Sequence, residues 1–325
     1  MMEIHEKVSI IIPTYNRAKL LTEAVRSLQQ QTYENIEIII VDDCSTDATA
    51  QAVEKLDDGR IVYVKHDVNK GGSEARNTGI KHATGDFIGF LDSDDQWQSD
   101  KLERQLAVFR ENPDFGIIYT GMKVFQGSYL VKEVIPKYQG DLLTKLIESN
   151  CIYTTSSILV KKEVLEEVGG FDSSLPSCQD WDFYLRLAQV SRFGFVEDSL
   201  VLYYLHPGDR ISTNHEAVVN GHLKIYEIYK ELAKAQGKDV FQKFSIKIAK
   251  TIFRIGMLSQ DKATITLSRK ILVEGLAKTE STSKNLMLYF STFMNRKFLL
   301  LLYKQFEKIN TGNYPVPGKK RLIFK

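Results

Sequence analysis

The amino-acid sequence predicts an α/β fold, with a mainly parallel sheet flanked by helices and a helical C-terminal region after it. Apolar strand patterns alternate with amphipathic helix patterns four times between residues 8 and 111. The first strand, VSIIIPT at 8–14, is a continuous β-branched run, which is typical of a strand covered on both faces. From about residue 214 onward the periodicity is helical. Because strands that alternate with helices form right-handed crossovers, the first strands should be parallel.

The elements follow from local pattern. Pro13 ends the first strand, and Leu21, Val25 and Leu28 give the next segment helical spacing. The alternating strands are predicted at 8–14, 36–43, 60–66 and 85–92, and their helices at 20–31, 45–56, 72–83 and 99–111. The alternation stops after a strand at 115–121. Later segments are predicted as a hairpin and short helix (124–150), a strand and a helix ended by Gly169 (156–171), an amphipathic helix (179–189) and strands at 192–197 and 200–206.

Charge is distributed unevenly along the chain. Residues 1–214 hold 22 Lys and Arg against 33 Asp and Glu, a balance of −11, whereas the remainder holds 21 against 8, a balance of +13. The acidic first part argues against nucleic acid as a ligand, because phosphate backbones are held mainly by Lys and Arg. It favours a site that gathers a cation.

The cysteines and the apolar runs indicate the compartment. Cys44, Cys151 and Cys178 form no CxxC pair and leave one over, so neither a disulfide framework nor a zinc knuckle is indicated. A reducing cytoplasm fits this pattern. No uncharged stretch reaches the roughly 18 residues of a membrane span, and the acidic N-terminus is unlike a cleavable signal. We therefore expect a cytoplasmic protein, either soluble or peripheral on the inner face of the membrane.

Polar residues follow each of the first four strands. Ligands of an open parallel sheet bind beyond the carboxyl ends of its strands, so these residues should meet at one edge. They are Thr14, Tyr15 and Asn16; Asp42 and Asp43; Asn69 and Lys70 with Gly71 and Gly72; and Asp92 to Asp95. Each cluster has a structural alternative, since the second could cap a helix and the glycines could only turn the chain. Four successive clusters together favour a functional site.

The stretch FLDSDDQW at 90–97 crowds three carboxylates, Asp92, Asp94 and Asp95. Like charges roughly 4 Å apart repel by about 4 kcal/mol at an effective dielectric near 20. Asp92 and Asp94 can point to the same side, with Ser93 turned away, and such a pair suits Mg²⁺ or Mn²⁺, which also take phosphate oxygens of a substrate. This predicts a divalent cation and a diphosphate ligand. Asp95 is expected to be a solvated turn residue.

Four segments in this order resemble the family 2 glycosyltransferases of the Rossmann-like GT-A fold. They are VSIIIPTYN, IEIIIVDDCSTDAT, NKGGSEARNTGIKHATGDFIGFLDSDD and QDWDFYLRL. The resemblance covers about residues 7–212. It implies a catalytic domain at 1–213, with a nucleotide-binding half at about 1–121 and an acceptor half at about 122–213, before a basic helical region at 214–325.

The resemblance implies which residues bind the nucleotide sugar. Pro13, Tyr15 and Asp43 would hold the base, Tyr15 by stacking and Asp43 by accepting a base N–H. Asp42 would support them. Arg76 would approach the base and the diphosphate.

The resemblance also implies a metal site. Asp94 would bind the metal and Asp92 would lie nearer the ribose, with Ser93 between them in the nucleotide-sugar site. In the loop HPGDRIST, His206 is the candidate third ligand and Arg210 a candidate clamp on the diphosphate. For His206 the alternative is a structural or exposed histidine.

The catalytic base implied by the resemblance is Asp180. The family's Glu-Asp pair reads Gln179-Asp180 here, which removes a charge that could tune Asp180. Asp180 would deprotonate an acceptor hydroxyl while the metal steadies the leaving diphosphate, with inversion at the anomeric carbon. Trp181 could pack against an acceptor sugar. The alternatives are an acid at a helix N-terminus for Asp180 and a core aromatic for Trp181.

These observations favour an inverting, metal-dependent glycosyltransferase that uses a nucleotide sugar, expected to be a UDP-sugar, and a saccharide or lipid-linked saccharide acceptor. The alternatives are a non-catalytic sugar-nucleotide-binding or scaffold protein and a sugar nucleotidylyltransferase, although PTYNRAKL lacks the Gly-rich phosphate loop of the latter. The basic helical segments 243–258 and 295–306 either pack on their own domain or lie on an anionic membrane surface.

Overall fold

The computed structural model describes residues 6–206 and 214–276. Its strands are β1 (Val8–Thr14), β2 (Ile36–Asp42), β3 (Ile61–Lys65), β4 (Phe87–Phe90), β5 (Asp95–Trp97), β6 (Phe115–Gln126), β7 (Tyr129–Val134), β8 (Ile158–Lys161) and β9 (Arg192–Tyr204). Its helices are α1 (Ala18–Gln29), α2 (Thr49–Glu54), α3 (Gly72–His82), α4 (Lys101–Glu111), α5 (Leu143–Glu148), α6 (Lys162–Val168), α7 (Gln179–Val190), α8 (His215–Ala235), α9 (Lys238–Ser259) and α10 (Lys262–Leu276).

The strands form one mixed sheet in the order β3-β2-β1-β4-β8-β6-β9-β5, with β7 beside β6. The first four strands are parallel to one another, whereas β8 runs antiparallel to both of its neighbours. Strand β9 is parallel to β6 and antiparallel to β5. The predicted α/β class, with a mixed sheet between helices and a helical C-terminal region, is confirmed.

Strand β1 lies between β2 and β4 and is buried on both faces. Ile11 and Ile39 face one hydrophobic core, whereas Ile10, Ile12 and Ile38 face the other, and all five are fully buried. This two-sided burial explains why the run carries no polar alternation. Because β1, β2 and β4 are parallel and in close register, the loops that follow them leave the sheet at the same edge.

The strands near β9 differ from the prediction. The sequence predicts no strand at 95–97, because the three residues of β5, DQW, are too few and too polar to show a period. Pairing with β9 makes them a strand. The two strands predicted at 192–197 and 200–206 are one strand. Glu197 and Asp198 suggest a break in sequence, but they fall in a register shift of the β6–β9 ladder, where an irregularity holds extra residues without ending the strand.

The C-terminal helices share a core with the sheet domain. On α9, Phe244, Ile248 and Ile252 are fully buried, and the Phe244 ring lies 6.2 Å from the ring of Trp181. Of the two alternatives for the segment 243–258, packing on its own domain is therefore the one seen in the structure. The segment 295–306 lies outside the described residues. Among the helices that are described, none is long and apolar enough to cross a membrane.

Candidate active site

A cleft of about 790 Å³ opens at the edge where β1, β2 and β4 end. This size is ordinary for a small-molecule site. Nine residues predicted for the site line it: Pro13, Tyr15, Asp43, Arg76, Asp92, Ser93, Asp94, Asp180 and Trp181. Asp42 and His206 do not line it, and Arg210 lies outside the described residues. Residues from distant parts of the chain thus meet in one cavity.

The loops after β1 and β2 are tied together by Asn16. Its side-chain oxygen accepts hydrogen bonds from the backbone N–H groups of Thr46 (2.8 Å) and Asp47 (3.2 Å), and its own N–H donates to Ser45 Oγ (2.8 Å). Asn16 adopts a φ of 52°, a left-handed conformation that asparagine tolerates. The neighbouring Tyr15 is 46 % exposed, so its ring is open to a ligand.

Asp43 holds the loop after β3 against the sheet. Its carboxylate accepts hydrogen bonds from the backbone N–H groups of Lys70 (2.8 Å) and Gly71 (2.7 Å) and lies 2.7 Å from His66 Nδ1. Gly71 has a φ of 88°, which favours glycine and lets its N–H point at the carboxylate. Asp43 therefore shapes the cleft wall as well as facing the cleft.

Asp42 is fully buried and takes no part in the cleft surface. Its carboxylate accepts hydrogen bonds from the hydroxyl of Tyr63 (2.5 Å) and the backbone N–H of Ser45 (2.8 Å). Both bonds hold the loop that carries Asp43. Asp42 is therefore placed to support the loop of the cleft and not to contact a ligand.

The two carboxylates predicted for metal and ribose are each paired with an arginine. Arg17 lies 2.8 Å from Asp94, and Arg76 forms an ion pair and hydrogen bond with Asp92. The Arg76 guanidinium also lies 5.4 Å from the Phe171 ring centre, which fixes it in the cleft wall. These arginines offset the repulsion between neighbouring aspartates that the sequence suggested.

The predicted three-ligand metal site of Asp92, Asp94 and His206 is not assembled. Across residues 6–206 and 214–276, no three His, Cys, Asp or Glu side chains gather to hold a metal ion. His206 packs beside Tyr204 with 6.1 Å between ring centres, and its buried Nε2 has no hydrogen-bond partner. The two aspartates still suit a hard divalent cation that completes its shell with water and phosphate oxygens.

Asp95 is not the solvated turn residue that the sequence suggested. It is 1 % exposed, and its carboxylate accepts a hydrogen bond from Ser156 Oγ at 2.6 Å. Ser156 Oγ in turn lies 3.1 Å from the backbone nitrogen of Asp92. Asp95 therefore stabilises the turn that presents Asp92 and Asp94.

Asp180 lies in the first turn of α7 and faces the cleft. The amide of Asn150 donates a hydrogen bond to its carboxylate at 2.9 Å. Burial raises the pKa of Asp180, while its hydrogen bonds and the nearby charge of Arg76 act in the opposite direction. A carboxylate whose pKa is raised in this way holds a proton more readily than an exposed aspartate, as a general base requires.

Trp181, predicted to contact an acceptor sugar, is only 3 % exposed. Its indole N–H donates to the carbonyl of Leu146 at 2.6 Å. This matches the core alternative and leaves no exposed ring face for a sugar, because the neighbouring helices cover the indole.

The structure also brings residues to the cleft that the sequence did not single out. They are Arg17, Asn150 and His222, together with Lys247, Thr251 and Arg254 of α9. α8 can approach the Asp180 loop closely because residue 221 is glycine: a Cβ there would lie 2.1 Å from Ser177 Oγ. The alternation of basic and apolar residues in 243–258 was the only sequence signal for the α9 group.

Comparison with known proteins agrees with this arrangement. Residues 9–169 match the family model described as glycosyl transferase family 2. A putative colanic acid biosynthesis glycosyl transferase, WcaA of Escherichia coli K12, is 31 % identical over 242 residues, which are 71 % of this chain and 84 % of the relative. The chain belongs to glycosyl transferase family 2. The predicted family and enzyme class are thus confirmed.

Two further relatives of this family 2 enzyme match shorter segments. An uncharacterized glycosyltransferase of Haemophilus influenzae is 35 % identical over 57 % of this chain, which spans 63 % of that relative's length. The UDP-Glc:alpha-D-GlcNAc-diphosphoundecaprenol beta-1,3-glucosyltransferase WfgD of Escherichia coli is 33 % identical over 56 % of this chain and 68 % of its own.

Solved structures share the fold. S. aureus TarS residues 1–349 in complex with UDP-GlcNAc superimposes with a TM-score of 0.66 at 22 % identity, covering 83 % of this chain and 80 % of TarS. The mannosyltransferase PcManGT of Pyrobaculum calidifontis, in complex with GDP-Man and Mn²⁺, gives 0.56 at 20 % identity, covering 94 % and 83 %. At these identities the likeness concerns the GT-A fold.

Replacing either of two aspartates of α7 by asparagine should affect the stability of the folded protein differently. Because the pKa of Asp180 is raised, its ionised form is less favourable in the folded protein than in the unfolded chain at neutral pH. Asp180→Asn should therefore leave the Tm at pH 7 unchanged or raise it.

Asp182→Asn is the matched comparison. Asp182 is 3 % exposed and accepts hydrogen bonds from Tyr229 Oη (2.7 Å) and Arg186 Nε (2.9 Å). Its substitution should cost about 2–3 kcal/mol in the free energy of unfolding, measured by urea denaturation. Equal destabilisation by both variants would contradict the distinction.

Proposed function

We propose that this family 2 glycosyltransferase moves a sugar from a nucleotide-diphosphate donor, most simply a UDP-sugar, to a saccharide hydroxyl with inversion at the anomeric carbon. One observation carries the proposal: Asp180, with a raised pKa and an oriented carboxylate, shares a cleft with the pair Asp92 and Asp94. A displacement reaction needs a base for the attacking hydroxyl and groups that hold the leaving diphosphate with its metal. This cavity has a candidate base on one side and acidic groups suited to a metal diphosphate on the other.

The donor would enter at the sheet edge. The exposed ring of Tyr15 offers a stacking surface for a nucleobase. Asp43 lines the same cleft, and its carboxylate oxygen Oδ2 accepts a single backbone hydrogen bond, from Gly71. Arg17 and Arg76 can exchange their carboxylate partners for phosphate oxygens, because guanidinium binds both groups in the same geometry. The UDP-GlcNAc complex of TarS and the UDP-Glc named for WfgD support a uridine donor.

Asp94, with Asp92 beside it, would hold Mg²⁺ or Mn²⁺ at the diphosphate. When bound, such an ion neutralises charge on the diphosphate leaving group. PcManGT, which shares the fold, has Mn²⁺ in its complex, and this supports the assignment.

Asp180 would act directly on the acceptor. Its carboxylate takes the proton of the acceptor hydroxyl as that oxygen bonds to the anomeric carbon and the bond from that carbon to the diphosphate oxygen breaks. The amide of Asn150 donates to this carboxylate and helps to hold its orientation in the cleft. Attack from the face opposite the leaving group inverts the configuration.

The acceptor would be a saccharide or lipid-linked saccharide in the synthesis of a cell-surface polysaccharide. Two relatives support this: WcaA is named for colanic acid biosynthesis and WfgD for an acceptor joined to undecaprenol through a diphosphate. The alternative of a non-catalytic sugar-nucleotide-binding protein keeps the same cleft but needs no base.

The base assignment is tested with Asp180→Asn. Sugar transfer should fall by about 10² to 10⁴-fold, because general-base catalysis contributes that much, whereas UDP affinity should stay within about twofold. In the unsubstituted enzyme, kcat/KM should fall as the pH is lowered through a pKa above that of an exposed aspartate, since the base must be ionised. Transfer is measured by UDP release with a panel of UDP-sugars; full activity of the variant would contradict the role and favour the non-catalytic alternative.

The metal assignment is tested with Asp94→Ala. UDP should bind the unsubstituted chain more tightly with Mn²⁺ than with EDTA, and the variant should lose most of that difference. Isothermal titration calorimetry measures both affinities. Asp114→Ala, which removes an exposed carboxylate outside the cleft, is the comparison and should keep the Mn²⁺ effect. An undiminished Mn²⁺ effect in Asp94→Ala would refute the metal role.

Contact with the inner face of the membrane would rest on the segment 295–306, NRKFLLLLYKQF. The apolar side of 243–258 is buried in the core, so that segment cannot insert without unfolding. The full chain should float with liposomes that contain anionic lipid. The double variant Arg296→Glu/Lys297→Glu should float less, because each basic residue contributes about 1 kcal/mol near an anionic surface. Equal flotation of both proteins would remove this contact.

A further inference from the structure

Helix α9 places a basic surface inside the cleft. Lys247, Thr251 and Arg254 are spaced by four and three residues, so they lie on one face of the helix, and all three line the same cavity as Asp180. We call these three residues the α9 wall. The opposite face of α9 is buried in the core, which holds the α9 wall at the cavity.

No carboxylate of the described residues forms an ion pair with the cations of the α9 wall. Within residues 6–206 and 214–276, neither Lys247 nor Arg254 forms an ion pair with an acidic side chain. One turn earlier on the same helix, Lys243 lies 2.9 Å from Glu148 and 2.6 Å from Asp239. In the described part of the chain, the lysine outside the cleft is therefore paired, whereas the two cations inside the cleft are not.

This unpaired charge has an electrostatic cost. Burial lowers the pKa of Lys247, and the positive charges of Arg254 and Lys250 lower it further. An anion placed between Lys247 and Arg254 would offset this repulsion and favour the protonated form of the lysine. The α9 wall thus has the charge and shape of an anion site.

The α9 wall lies on the acceptor side of the cleft. Lys247 and Arg254 are close enough to His222 to lower its pKa, although burial has the larger effect. His222 contacts Cys178 Sγ at 3.3 Å, two residues before Asp180. The donor side has arginines of its own, Arg17 and Arg76, which are paired with Asp94 and Asp92.

We propose that Lys247 and Arg254 bind a phosphate or diphosphate group of the acceptor, beside Thr251, whose hydroxyl donates to the backbone carbonyl of Lys247 at 3.2 Å. This rests on the proposed function and names its acceptor class: a saccharide joined to a phosphate ester, so that the sugar hydroxyl reaches Asp180 while the phosphate lies on α9. Lysine and arginine side chains together form charge-assisted hydrogen bonds that a neutral glycoside could not accept in the same way.

The test fills the donor site first, so that a second anion can bind only elsewhere. The full chain is saturated with UDP and excess Mg²⁺ and then titrated calorimetrically with geranyl diphosphate, a short lipid diphosphate. Geraniol serves as the uncharged probe. The test variant is the double substitution Lys247→Ala/Arg254→Ala. The control is Lys243→Ala, which removes the same charge per residue from the same helix.

Geranyl diphosphate should bind the UDP-saturated chain, with an affinity that falls as salt is raised. The double variant should weaken it by at least about tenfold, whereas Lys243→Ala should change it by less than about twofold. UDP affinity should be unchanged in both variants. Circular dichroism and Tm establish that the variants fold.

Three outcomes would overturn the inference: no binding of geranyl diphosphate once UDP is bound, equal binding by the double variant, or equal binding of geraniol. A loss of UDP affinity in the double variant would place the α9 wall at the donor diphosphate instead. If UDP fails to bind the unsubstituted chain, the proposed function fails, and titration of the UDP-free chain still tests the α9 cations.

Discussion

The two-sided burial of β1 is the constraint on which the rest of the structure depends. Ile10, Ile11 and Ile12 are fully buried, and they alternate between two cores. A strand with no solvated face needs helices on both sides of the sheet, and parallel neighbours joined by those helices release their loops at one edge. The cleft is a consequence of this topology, and side-chain chemistry then specialises it.

Polar side chains hold the cleft's loops in place. Asn16 joins the first loop to the second, Asp43 joins the second to the third, and Asp95 stabilises the fourth through Ser156. The bond of Asp95 also satisfies buried polar groups that would otherwise be costly to bury. A prearranged cavity loses less conformational freedom when a ligand binds, which is why such side chains belong to the site even where they touch no substrate.

The C-terminal helices are structural and electrostatic parts of the same cavity. Gly221 lets α8 approach the loop before Asp180, and the buried face of α9 directs Lys247 and Arg254 inward. An acidic sheet edge thereby faces a basic helix across one cleft. The opposite charge balances of the two parts of the chain have a local meaning here, because each sign lines a different wall.

The sequence by itself determined the strand and helix alternation, the family and most of the cleft's acidic residues. These features depend on local periodicity and on short motifs such as FLDSDDQW and QDWDFYLRL. The tertiary structure decided what depends on distant partners: the pairing that makes 95–97 a strand, and the burial of Asp95 and Trp181. It also decided that Arg17 and Arg76 neutralise Asp94 and Asp92, and that α9 faces the cleft. A local pattern gives the polarity of a residue, but packing between remote segments decides what that residue faces.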